Sequence, residues 1–121
     1  MSVIPPRHVL RSTLAPVIAG ALLAAAHPNL PFDAIQIDQL YSGSRELGLG
    51  LRFFLYRPDA DLLRRWSAAI GAHGGSHVET SVPDEVRTTV RGTVDRTPVE
   101  LVCVLLATPV GLADLPELAA L

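Results

Sequence analysis

The sequence predicts an α+β domain in which an antiparallel β-sheet of about five strands is covered by two main helices. The element order is α-β-β-α-β-β-β plus a short C-terminal helix, in two layers. Three observations carry this. Leu47-Gly-Leu-Gly-Leu-Arg-Phe-Phe-Leu-Tyr56 places Leu47, Leu49, Leu51, Phe53 and Leu55 on one face and Gly48, Gly50, Arg52, Phe54 and Tyr56 on the other, as side chains on a pleated strand alternate. Val86 to Arg96 alternates in the same way, while Val99 to Ala107 is apolar on both faces, the pattern of a strand covered on both sides. Two further stretches carry apolar residues at helical spacing and can cover the sheet.

Residues 1–12, with Pro5-Pro6, read as an extended arm, and residues 13–121 as one domain. The first helix runs from Leu14 to Ala26, after Ser12 and Thr13 as candidate caps and with Pro16 in its first turn, where proline is tolerated. Arg7 and Arg11 before this run, and Ala24-Ala25-Ala26 at its end, imitate a secretory signal. The early proline and caps favour a buried helix instead. Its 13 residues fall short of the ~20 needed for a membrane span. Leu14, Val17, Ile18, Leu22 and Ala25 form one stripe. Ala15, Ala19, Gly20, Leu23, Ala24 and Ala26 form a small, equally apolar opposite side. A helix apolar all round is buried on two sides. One side is therefore expected on the sheet, and the small side (Ala19, Gly20, Leu23, Ala24) either at an interface with a second subunit or, equally, under the second helix or the C-terminal tail.

His27-Pro-Asn-Leu-Pro31 ends that helix, because proline cannot continue a helix and restricts the residue before it. Ile35 to Tyr41 is a first strand, Ser42 to Glu46 a turn, and Leu47 to Tyr56 the second strand of a hairpin. After Pro58, Asp59 or Asp61 caps a second helix. It reaches to about Ala72, with Leu62, Leu63, Trp66, Ala69 and Ile70 inward, and Gly71 or Gly74 stops it. His77 to Val82, Val86 to Arg96 and Val99 to Ala107 are three strands joined by turns at Pro83-Asp84-Glu85 and Thr97-Pro98. Asp114 to Leu121 forms a last helical turn. This order is similar to that of roadblock-like and profilin-like dimerisation modules. From Leu47 onward it is similar to half of a vicinal oxygen chelate enzyme. Both likenesses are of element order, with no shared motif, and order alone does not give function.

The 121 residues are 49% hydrophobic and 18% charged, which suits a folded chain and not a disordered one. All ten basic residues are arginine, and Asn29 is the single asparagine, a bias expected of a GC-rich, bacterial coding sequence. The net charge of −2 argues against a mainly electrostatic grip on nucleic acid. Cys103 stands alone, so no internal disulfide can form, as expected of a cytoplasmic protein.

Candidate chemistry is sparse. His73-Gly-Gly-Ser-His77 spaces two imidazoles in a glycine-rich connection, with Glu79 two residues on. Such a set could hold zinc or another divalent ion with an open position, although two solvated loop histidines fit the same spacing. No cofactor is otherwise indicated. Serine lacks a nucleophile-elbow setting, and Gly43, Gly48 and Gly50 lack the helix and lysine of a phosphate loop. Cys103, mid-strand among aliphatics, reads as packing. Arg52, Arg87 and Arg91 with Phe54, Tyr56, Thr89 and Thr93 would make an arginine and aromatic sheet face of the kind that binds single-stranded nucleic acid. A solvated face balanced by Glu79, Asp95 and Glu100 is the plainer expectation. The sequence is thus best read as a non-catalytic interaction module, partnered by itself as a homodimer or by another protein. A metal-dependent or nucleic-acid-binding role stands as the alternative.

Overall fold

A computed structural model of the chain describes residues 7–82 and 85–106, and side chains within 7–73 and 85–105. A 3₁₀ turn, Leu10–Thr13, leads into α1, Leu14–Ala26, so the predicted extended arm is partly helical where it is described. β1 (Ala34–Ser42) and β2 (Arg45–Tyr56) form a hairpin; α2 (Ala60–Ala69), β3 (His73–Val82), β4 (Glu85–Val94) and β5 (Thr97–Leu106) follow. The short helix predicted over Asp114 to Leu121 lies outside the described residues.

The purely antiparallel sheet of the sequence reading is corrected. Strands β1, β2, β5 and β4 form the continuous body of a mixed sheet in that order, and β3 adds along the free edge of β4. β2 and β5 are parallel, with Phe53 opposite Leu101 and Leu55 opposite Cys103. The other pairs are antiparallel. The cause is α2, a crossover of the sort that parallel strands need and a tight turn cannot supply. It carries the chain from the end of β2 past two strand positions to β3. β4 and β5 then fold back by tight turns, and β5 fills the gap beside β2.

Each helix forms for local reasons. Asp59 caps α2, its Oδ1 accepting from the Leu62 amide at 2.7 Å, and Gly71 ends it at φ +58°, a conformation glycine adopts without steric cost. α1 has no side-chain cap and no charged residue, so it depends on packing more than on propensity. Leu51, Phe53 and Leu55 of β2 cluster with Val99, Leu101 and Cys103 of β5, under Ala19 and Leu23 of α1, Trp66 of α2 and Ile70 just after α2. The loop between α1 and β1 is pinned there. Trp66 Nε1 donates to the Pro31 carbonyl at 2.8 Å, and Phe32 meets the Phe53 ring edge-on at 5.4 Å.

The orientation of α1 reverses the expectation for Ala19 and Leu23. Pro16, Ala19 and Leu23 face the sheet and are buried, and a Cβ on Gly20 would stand 3.7 Å from Leu51 Cδ1. The physical reason is size. The sheet beneath presents leucine, phenylalanine and valine side chains, so the helix face of small residues seats against it. The large stripe of Leu14, Val17, Ile18 and Leu22 is left facing outward. Ala24 alone of the four expected interface residues is exposed, and Gly20 is half-buried.

Candidate functional site

The opposite face of the sheet carries the arginine and aromatic residues. Alternation along β2 puts Arg52, Phe54 and Tyr56 on it, and alternation along β4 puts Arg87, Thr89 and Arg91 on it. These two strands are not neighbours, because β5 runs between them. Register completes three rows across the face: Arg52, Glu100 and Arg91; Phe54, Val102 and Thr89; Tyr56, Val104 and Arg87. The face is concave. A cavity of about 770 Å³ is lined by Gln36, Arg52, Phe54, Tyr56, Arg91 and Val102 among others, with no residue from either helix.

Two of the three arginines on this face are hydrogen-bonded to carboxylates among the described residues. Arg52 donates from Nη1 to Asp38 Oδ2 at 2.9 Å, and from Nη2 and Nε to Glu100 Oε2 at 3.3 and 3.4 Å. Arg87 Nε donates to Glu85 Oε1 at 2.7 Å. Two arginines thus hydrogen-bond to three carboxylates, Asp38, Glu85 and Glu100. Glu100 sits at the floor, 6% exposed, where an unpaired carboxylate would be costly. Arg91 differs from the other two arginines. Its Nη2 stands 3.6 Å from Glu100 Oε1, beyond hydrogen-bond range. Its Nε is shut off from solvent with no partner among the described residues.

The sequence-predicted metal residues fall on β3, which begins at His73 and not at His77. Register breaks between His73 and Ser76, so the Gly74-Gly75 connection is absorbed as a strand irregularity of the kind glycine permits. Backbone register sets His73 opposite Arg91, His77 opposite Thr89 and Glu79 opposite Arg87. The His77 and Glu79 side chains lie outside the described residues. Among the described residues no three metal-ligating side chains gather.

Cys103 lies in the core, where burial pushes its thiol from 9.0 up to about 11. A thiol held protonated there is a poor nucleophile. Its effect on stability has a definite sign. Below pH 9 the thiol is neutral in both states. From about 9 to about 11 the unfolded chain loses the proton first, so stability contributed by the neutral buried thiol is lost across that window. Chemical denaturation between pH 8 and 11 should show a steeper alkaline loss for the native chain than for Cys103→Ala, and parallel slopes would contradict it.

Sequence reasoning missed Asp38 and Glu85, whose role appears only once cross-strand register is known. Glu100, expected as a solvated counter-charge, is buried. Its position two residues before Val102 on a strand apolar on both faces was the available signal. Among the described residues no helix is long and apolar enough to cross a membrane. Compared with protein-family models, curated proteins and solved structures, the chain matches none.

Proposed function

We propose that this protein is a non-catalytic interaction module, built in two layers and working in the cytoplasm, that self-associates through the outer stripe of α1. One observation carries this reading. Leu14, Val17, Ile18 and Leu22 are each between 43% and 58% exposed on a helix without a charged residue. Leu10 continues the stripe one turn earlier and is more exposed still. Single exposed apolar residues are ordinary on a soluble surface, but a contiguous apolar helix face marks an interaction site. Packing the same stripe from a second copy against it gives a two-fold, self-complementary contact, the commonest form of homodimer. Helix against helix also suits the i, i+4, i+8 spacing of Leu14, Ile18 and Leu22.

The alternatives draw less support. A polyanion needs a surplus of cations, whereas Arg52 and Arg87 are already spent on Asp38, Glu100 and Glu85. For a divalent ion at His73, His77 and Glu79 there is only the shared strand.

Sedimentation velocity tests the proposal. The unaltered chain should run as a dimer. The Ile18→Asp, Leu22→Asp double variant should run as a monomer with nearly the same unfolding temperature when measured at equal dilution, because both positions are half in water in the single chain. A monomeric unaltered chain at high concentration would overturn the reading. So would a variant that stays dimeric.

A further inference from the structure

The concave sheet face poses a separate problem from α1, because its rows are polar at one end, apolar at the other, and incompletely satisfied. Val102 and Thr89 are buried at its floor, with Phe54 beside Val102 on β2 and Tyr56 at the rim, more than half exposed. At the polar end Arg91 keeps 27% of its side chain in reach of solvent while making no hydrogen bond within range among the described residues. Its Nε–H is shut off from solvent and has no acceptor among the described residues. A buried guanidinium donor without an acceptor is costly, and structures usually supply one. The neighbouring carboxylate does not relieve it: Glu100 directs Oε2 to Arg52 and leaves Oε1 too far from Arg91 to bond.

We propose that this face is a binding site for a small aromatic monocarboxylate, its carboxylate taken by Arg91 and its ring laid over Val102 beside Phe54 and Tyr56. The chemistry follows from what remains unspent. A guanidinium offers parallel N–H groups that fit a carboxylate in a bidentate pair. One guanidinium without a hydrogen-bonded carboxylate among the described residues calls for one anionic group, which selects a monoanion over a nucleic-acid backbone. Val102 and Thr89 give a floor of low polarity next to Arg91, and Phe54 and Tyr56 offer ring edges and faces to a planar aromatic body. The volume is in the range of small-ligand clefts, roughly 300–1,000 Å³. A dimer formed through α1 leaves this face open, so the two properties are separable.

The test uses 2-naphthoate as probe, followed by calorimetry and by the probe's fluorescence. Saturable binding is expected, with the neutral 2-naphthamide at least about tenfold weaker, the loss that follows when a charged hydrogen bond is removed. Arg91→Gln should lower naphthoate affinity by a similar factor and leave naphthamide binding unchanged, provided that its melting curve shows a folded chain. The comparison of the two probes on the unaltered protein stands even if that variant fails to fold. Equal affinity for acid and amide would overturn the proposal. Absence of saturable naphthoate binding, or tighter binding of oligo-dT that naphthoate does not displace, would overturn it as well. None of these outcomes bears on sedimentation as a dimer.

Discussion

Gly92→Ala is expected to destabilise the protein by about 3 kcal/mol, lowering Tm by about 10 °C. Gly92 pairs with Val99 across the β4–β5 ladder and points its missing side chain at the end of α2. A Cβ there would overlap the Ile70 carbonyl oxygen and stand 2.8 Å from both the Ile70 carbonyl carbon and Cγ1. The obstruction is mainly backbone, so a rotamer change cannot relieve it. Relief would require separating α2 from the sheet, and the neighbouring bond from the Thr93 amide to the same Ile70 carbonyl, 2.9 Å long, would be lost with it. Differential scanning calorimetry reads the change directly. A shift of less than ~2 °C would mean that the α2 terminus floats on the sheet and is not clamped to it.

Trp66→Ala should cost about 3–5 kcal/mol, the range for removing a large aromatic from a core. Trp66 is 2% exposed, its ring centre lies 4.6 Å from that of Phe53, and its Nε1 holds the Pro31 carbonyl. The residue therefore joins α2, the central sheet and the α1–β1 loop. Trp66→Phe separates the two contributions. It keeps most of the ring contact and loses the hydrogen bond, for an expected cost of about 1 kcal/mol from the bond plus a smaller packing loss. Urea denaturation of the two variants should differ by more than ~2 kcal/mol. Equal losses would show that the indole N–H, and not ring volume, holds the loop in place.

Much of the candidate site was legible as membership of a face. Alternation alone assigns Arg52, Phe54 and Tyr56 to one side of β2, and Arg87, Thr89 and Arg91 to one side of β4, whatever lies between them. The charge state of that face was not legible, because it depends on which strand stands next to which. Asp38 reaches Arg52 only through the β1–β2 register, which sets Asp38 opposite Gly50 and Gln36 opposite Arg52. Glu100 reaches both Arg52 and Arg91 only because β5 is inserted between β2 and β4. The histidine cluster illustrates the converse. A glycine-rich spacing suggested a loop, and pairing with β4 drew His73 into a strand, since backbone groups along a sheet edge are satisfied by extension of the ladder.

Residue periodicity by itself determined the α+β class, the positions of α1 and α2, and the two faces of β2 and β4. These depend on contacts within a few residues: the Asp59 cap, the Gly71 stop, the prolines that break the chain at 28 and 31, and the two-residue period of a pleat. Tertiary structure alone decided the parallel pairing of β2 with β5 and the side of α1 that meets the sheet. Both of α1's faces are apolar, so hydrophobicity could not choose between them. The choice came from fit, small residues seating against the large side chains of β2 and β5 and leaving Leu14, Ile18 and Leu22 outside. Strand order likewise rests on where a ten-residue helix sets the chain down across the sheet, which no local period encodes.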